Sequence, residues 1–410
     1  MKQSELFPKT RKTAPKGAES INHQLLVRAG FMDQLMAGSW TLLPLGFRVV
    51  SKINQIIREE MNAIGGQEML MPLLHPKSIW NETERWDKAS EIMYKLKDPR
   101  GKEYVLSFTH EEIVMDLIRK NINSYQDLPL AVYHFSTKFR NEPRAKSGIL
   151  RGREFMMKDL YSTHATEKDL YSYYEKVKQA YSKIFKRIGF DFRITEAAGG
   201  VFTDRNTHEF QVIAENGEDT IYFCQNCEWG SNKEIFKGKE GDICPSCKSG
   251  KVKISRGIEV GNIFPLGKWY AEKMGVNFTD KDGSLKPVWF GSYGIGSTRV
   301  MGAAVEVSNE DKGIIWFDAI KPFDVHLVEL TGAKKTAEIY KTLIENKIDV
   351  LWDDRELGAG EKFADSDLIG IPIRLVVSEK TGSELEWKLR SSDKLKLMAI
   401  DEVINKLKAR

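Results

Sequence analysis

A chain of 410 residues exceeds what one small core can organise, and two to three domains are expected. Its 41% hydrophobic and 29% charged residues are ordinary for a globular protein, and no apolar run approaches the roughly 20 residues that a membrane-spanning helix needs. A net charge of only +4 argues against binding nucleic acid by bulk electrostatics and leaves room for a local basic site.

The opening stretch, MKQSELFPKTRKTAPKGAE, lacks the apolar centre of a signal peptide and the amphipathic Arg/Ser pattern of a transit peptide, so a cytoplasmic location is expected. Val50, Ile53, Ile57, Met61 and Ile64 then recur at helical spacing over 44–64, and Gly65 and Gly66 supply the stop. The run QEMLMPLLHP reads as a strand that Pro72 confines to a sheet edge or an interface. KEYVLSF reads as another strand, followed by a helix opening at Thr109 with Glu112 three residues on, in capping-box fashion. LPLAVYHFSTKFRNE and GILRGREFMMKDLYSTH read as antiparallel partners with a turn from Pro143 to Gly148.

A long helix is expected over 167–187, and DFRITEAAGGVF and THEFQVIAE continue the antiparallel sheet. KPVWFGSYGIGSTRVMGAAVEV reads as a strand, a turn bearing Gly294 and Gly296, and a helix. From Lys321 onward strands and helices alternate, closing on a helix over 395–409, as in a separate α/β domain. Acidic and basic residues nearly balance there, so charge does not mark it as an RNA binder.

Two constellations carry chemistry. Between Lys138 and Lys158 stand seven basic residues against two acidic ones. On the strand reading, Arg140 and Glu142 share one face, and Arg151, Arg153 and Phe155 share another. Guanidinium groups for phosphate oxygens, a ring for a base and a carboxylate for an amino group suit a nucleotide, with a solvated charged hairpin as the plain alternative. The second is CQNC at 224–227 and CPSC at 244–247, sixteen residues apart, the spacing of a tetrahedral zinc site. Four thiolates, from Cys224, Cys227, Cys244 and Cys247, would fill the coordination sphere and make the metal structural; their confinement to one window fits a reducing compartment. Lys248, Lys251 and Lys253 beside them face either RNA or solvent.

FRNE followed by LRGREF resembles motif 2 of the class II aminoacyl-tRNA synthetases, GSYGIGSTR resembles their motif 3, and GFRVVSKINQIIREEMNAIGGQEMLMPLLHP resembles the dimer-forming motif 1. Within that class, NHQLLVRAG, FTHEE, THEFQVIAENGED, RGIEVGNIFPLG and DDRELGAGEKFADSDLIGIPIRLVV are similar to the bacterial-type prolyl-tRNA synthetases, over nearly the whole chain. The resemblance implies an α+β catalytic domain on an antiparallel sheet over 1–220 and 256–320, a zinc-ribbon-like insertion at 221–255 where many relatives carry a large editing domain, and an α/β anticodon-binding domain over 321–410. It implies activation of L-proline with ATP and Mg²⁺, transfer to tRNA(Pro), a homodimer formed through 44–76, and clearing of alanyl-tRNA left to a separate deacylase.

Residue by residue, the resemblance places Arg140 on the α-phosphate and the proline carboxylate, Glu142 on the adenine amino group, Phe155 against the adenine ring, and Arg151 and Arg299 on the terminal phosphates. Thr109, Glu111, His208 and Gly294 would form the proline pocket, with Glu111 facing the ammonium. Glu259 and Glu306 are the candidates to assist Mg²⁺, with an exposed structural glutamate as the plain alternative for each; Ser292 stands where many relatives carry cysteine, so no thiol role transfers. Base contacts are expected around Asp353 to Lys362 and the strand at 371–377. A threonine or glycine enzyme and a catalytically silent paralogue are the alternatives, the latter disfavoured by the presence of both Arg140 and Arg299.

Overall fold

The periodic run after Leu43 forms helix α1 (Pro44–Ala63), whose Val50, Ile53, Ile57 and Met61 are buried, and Gly65, at φ +85°, turns the chain out of it. The structure, a computed structural model, describes residues 1–409 except Val201, Phe202 and Asp204. The last two residues of the strand expected to end at 202 therefore lie outside the described residues. The chain divides into two compact units, one of residues 1–35, 40–52 and 304–410 and the other of 36–39 and 53–303. Among the described residues no helix is long and apolar enough to cross a membrane.

The second unit is built on a sheet of nine strands: β1 (Gln67–Glu68), β2 (Leu130–Phe139), β3 (Glu154–His164), β4 (Phe192–Ala197), β5 (Thr207–Ile213), β6 (Asp219–Cys224), β7 (Trp229–Asn232), β8 (Val252–Gly267) and β9 (Trp289–Ile295). Their order is β5-β4-β7-β6-β8-β9-β3-β2-β1. The strand expected to carry Pro72 is interrupted: β1 ends at Glu68 at the rim of this sheet, Pro72 lies in no strand, and Leu74–Pro76 pairs at the edge of a separate three-stranded sheet. The long strand β8 pairs with β6 through Val252–Gly257 and with β5 through Gly257–Ile263, so β5, β4, β7, β6 and β8 close on themselves. Phe210 on β5 is fully buried, with Tyr181, Phe185 and Phe192 ring centroids 5.3 to 5.9 Å away. Tyr181 and Phe185 come from a long helix, Glu167–Ile188, capped by the Thr166 side chain and stopped at Gly189.

Three expectations need correction. The turn from Pro143 to Gly148 is a longer excursion over 140–153, because the N–H groups of Arg153 and Glu154 donate to the carbonyl of Gly38 at 2.7 and 3.1 Å and β3 begins only at Glu154. Arg140, Glu142, Arg151 and Arg153 consequently lie beyond the strand ends and not on alternating strand faces. The helix after Thr109, here α2 (Glu111–Asn121), has His110 as its N-cap, since the Thr109 hydroxyl is turned to Glu111 and Glu112 is drawn to Arg85. Finally, Lys138 and Lys158, counted as part of a basic patch, are both fully buried.

The C-terminal α/β domain has a five-stranded sheet: β10 (Val325–Glu329), β11 (Val350–Asp353), β12 (Ile373–Val377), β13 (Leu385–Leu389) and β14 (Leu395–Met398), in the order β11-β10-β12-β13-β14. The first three are parallel, joined through helices Ala333–Glu345 and Ala359–Ile369, and the last two add antiparallel. The helix expected over 395–409 begins at Ile400. Residues 395–398 form β14 because Leu385–Lys388 offer a free edge to pair with.

Candidate active site

Two cavities, of about 330 and 240 Å³, share Arg140, Glu259 and Arg299 in their walls. Thr109 and Glu111 at the start of α2, Met157 and Asp159 on β3, and Ser292 and Gly294 on β9 line the larger. Glu142, Arg151 and Phe155 from the 140–153 excursion and the start of β3 line the smaller. The nucleotide and proline residues expected from the sequence thus gather into two adjoining sets with common arginines, while His208 and Glu306 line neither.

In the larger cavity Thr109 Oγ1 donates to Oε2 of Glu111 at 2.6 Å and Ser292 Oγ donates to Oε1 at 3.0 Å. Behind this carboxylate Arg85 Nη1 lies 3.4 Å from Glu111 and 2.9 and 3.0 Å from the two oxygens of Glu112, with the guanidinium over the rings of Trp80, Phe108 and Tyr270. All three ionic groups are buried. At Gly294 an added Cβ would meet only ordinary contacts, Met157 Sδ at 3.5 Å and Asp159 Oδ1 at 3.8 Å, so its small size matters through the space it leaves in the cavity.

At the junction, Arg299 donates from Nε to the carbonyl of Leu150 at 2.9 Å and from Nη1 to Glu259, 3.1 Å to its carbonyl and 3.3 Å to Oε2. Arg140 stands with its guanidinium 5.2 Å from the Phe155 ring centroid, and its Nε is buried without a partner among the described residues. Burial, and then the nearby Arg299, lower its pKa from the ordinary guanidinium value. Two cations directed at one junction, one with an unpaired buried N–H, form a receptor for an anion. In the smaller cavity Glu142 accepts from Arg151 Nε at 3.0 Å, and Arg151 Nη1 lies 3.7 Å from Glu218.

The four cysteine sulfurs lie within 4.8 Å of one another, with Cys224 to Cys247 at 3.6 Å and Cys227 to Cys244 at 3.8 Å. The edge of a sulfur tetrahedron around zinc, with bonds of about 2.3 Å, is about 3.8 Å. The N–H groups of Asn226 and Gly250 point at Cys224 and Cys247, each at 3.3 Å, and Gly250 is required because a Cβ there would sit 2.4 Å from the Cys224 sulfur. His110, His134 and Asp159 also cluster, but the ammonium of Lys138 contacts Asp159 among them, so a cation is already in place.

Other expectations fare differently. His208 does not line either cavity; its Nδ1 is 2.7 Å from the Tyr174 hydroxyl, and burial lowers its pKa to about 4. Glu306 accepts from the backbone and side-chain nitrogens of Asn22 at 2.8 and 2.6 Å, a structural engagement. Asp353 is buried against Arg355, and Lys362 donates to the carbonyls of Glu329 and Asp353, so the two ends of 353–362 are held inside the domain while Glu356, Leu357 and Glu361 are exposed. Arg85, Lys138 and Asp159 escaped the sequence reading. Lys138 shares a strand face with His134 and Ser136, all three buried, but alternation alone does not say which face of the strand turns inward.

Residues 94–308 match the tRNA synthetase class II core domain (G, H, P, S and T), and residues 324–410 match an anticodon binding domain. A proline–tRNA ligase of Wolbachia pipientis wMel is 38% identical over 425 residues, covering all of both chains. That of Halothermothrix orenii is 32% identical over 562 aligned residues, covering all of this chain and 99% of its own. The chain belongs to the proline–tRNA ligase family of class II synthetases. The same fold occurs in two solved members: prolyl-tRNA synthetase of Giardia lamblia in complex with prolyl-adenylate (TM-score 0.78, 18% identity, 95% of this chain and 78% of that one) and of Cryptosporidium parvum complexed with halofuginone and AMPPNP (TM-score 0.78, 16%, 95% and 76%).

Removing Arg85 as Arg85→Ala leaves the buried carboxylates of Glu111 and Glu112 without their cation, so a destabilisation of about 3–5 kcal/mol is expected. Calorimetric unfolding checks it; a loss below about 1 kcal/mol would mean that water reaches this pair.

Proposed function

We propose that the chain activates proline with ATP to prolyl-adenylate and transfers the prolyl group to the terminal adenosine of tRNA(Pro). The observation that carries this reading is the sharing of Arg140 and Arg299 by an amino-acid-sized cavity with a carboxylate wall and a second cavity lined by Arg151, Glu142 and Phe155. Attack of the proline carboxylate on the α-phosphorus needs alignment and charge neutralisation more than a nucleophilic side chain. Arg140 would bind the carboxylate and the α-phosphate together, Arg151 and Arg299 the outer phosphates, Glu142 and Phe155 the adenine, and Thr109, Glu111 and Gly294 the proline. Pyrophosphate leaves, and in the second step a ribose hydroxyl of the tRNA attacks the carbonyl carbon with AMP as leaving group. His208 would act behind the pocket, through Tyr174.

Magnesium bound with ATP would offset charge on the phosphate oxygens, and Glu259 and Asp219, which line the smaller cavity, are the carboxylates that fit it. The four cysteines fit zinc in a closed structural site. A homodimer through 44–76 is supported by the exposed Phe47, Leu70 and Leu74. We assign the enzyme to the cytoplasm. The alignment with the Halothermothrix orenii enzyme runs over 562 positions against 410 residues here, so that relative carries a segment without counterpart in this chain, while the Wolbachia enzyme matches at nearly equal length. This supports an enzyme without its own editing domain, relying on a separate deacylase.

Arg140→Ala should lower proline-dependent ATP–pyrophosphate exchange by about 10²–10³-fold at saturating ATP; near-normal exchange would refute the role of Arg140. Purified protein should carry one zinc per chain by elemental analysis, lost together with melting of the 221–255 module in Cys247→Ser; a metal-free, equally stable protein would contradict the site. Alanyl-tRNA(Pro) incubated with the pure enzyme should hydrolyse no faster than in buffer, and enzyme-dependent deacylation would show that an editing activity is present.

A further inference from the structure

Two charged residues at the amino-acid cavity have no part in the roles above. Lys138 on β2 is wholly buried; its ammonium contacts Oδ2 of Asp159 on β3 and donates to Nδ1 of His110 at 2.7 Å and to Oγ of Ser136 at 2.8 Å. The ring of His110 is held in the tautomer that accepts this bond, because its Nε2 donates to the carbonyl of Pro72 at 2.9 Å. Burial lowers the pKa of His110 and of His134, so both rings are neutral near pH 7 and the carboxylate in contact with Lys138 is that of Asp159.

Asp159 is 5% exposed and lines the cavity. Its Oδ2 is engaged by Lys138 and lies 3.4 Å from His134 Nε2, whereas Oδ1 has no hydrogen-bond partner among the described residues and faces Gly294 across the cavity wall. Burial opposes its ionisation, but Lys138, with the hydrogen bond of His134, outweighs that and holds the carboxyl well below the usual carboxylate range. Glu111 is built alike, with buried Arg85 on its inner side and the cavity on the other. Glu111 and Asp159 are thus each backed by a buried cation.

We propose that Asp159 is a second acceptor for the substrate ammonium, acting with Glu111 on a secondary amine, and that Lys138 is the positioning residue that aims its carboxylate at the cavity. The inference rests on reading this cavity as the proline pocket. A secondary ammonium has two N–H bonds, which two carboxylates satisfy; a primary one brings a third that this wall would have to accommodate. Such a wall adds a polar penalty for alanine to the modest discrimination that an apolar pocket achieves over a smaller side chain.

Asp159→Asn keeps the shape and removes the charge. Exchange kinetics should show the KM for proline raised about 10- to 100-fold with the KM for ATP nearly unchanged. Competitive inhibition by tetrahydrofuran-2-carboxylate, whose ring oxygen replaces the N–H group, should be unaltered. A general distortion of the pocket would weaken both ligands equally, and that result, or an unchanged KM for proline, overturns the proposal. Lys138→Met combined with Asp159→Asn removes the buried pair together; should the single variant fail to fold, the same two-ligand comparison is made on the double variant, with the same pattern expected and the same results overturning it. The wild-type protein is assayed in parallel. Absence of proline-dependent exchange there would overturn the assignment of the pocket itself, whereas normal wild-type exchange with an indifferent Asp159→Asn overturns the role of Asp159 alone.

Discussion

Two guanidinium groups directed at one junction repel each other, and the organisation of the site follows from that constraint. Arg299 is held by the carbonyl of Leu150 and by Glu259, while Arg140 keeps a buried Nε without a partner among the described residues. Polyanionic ATP and the substrate carboxylate would relieve that repulsion together, which is why the two cavities have to meet there. Fixed charge placed before the reaction stabilises the developing phosphoryl negative charge without reorganisation.

Charges that face the larger cavity are balanced from behind. Arg85 stands behind Glu111 and Glu112, and Lys138 stands behind Asp159. Burying an ion is expensive unless a partner compensates it. Here the partners lie on the core side, so the cavity wall stays negative while the interior of the sheet is close to neutral. The central strands β2, β3 and β9 supply rigid positions for these groups, and the 140–153 excursion supplies the arginine-bearing loop of the smaller cavity.

Much of this was legible in the sequence. The helix over 44–63, the long helix from Glu167, the alternation after Lys321 and the paired cysteine knuckles follow from periodicity and spacing, and the structure bears them out. Arg140, Glu142, Arg151, Phe155, Glu111 and Arg299 were singled out by motif resemblance, and they do converge. What escaped were charges whose meaning depends on burial. Lys138 and Lys158 look in sequence like any other members of a basic run, and nothing local distinguishes an inward lysine from a solvated one. Thr109 reads as a helix cap because capping is a local rule, whereas its hydroxyl is drawn to Glu111 by a carboxylate that only tertiary packing fixes. Strand β14 was hidden for a related reason: pairing with Leu385–Lys388 decides its state, and short segments take their conformation from the edge they meet.

On this reading, one junction joins a proline pocket to a nucleotide pocket. ATP–pyrophosphate exchange without tRNA, run side by side with proline, alanine, threonine and glycine on metal-replete protein, tests it most directly. Exchange led by proline, with alanine a slower second, is expected. Exchange led by threonine or glycine, or no exchange with any of the four, would contradict it.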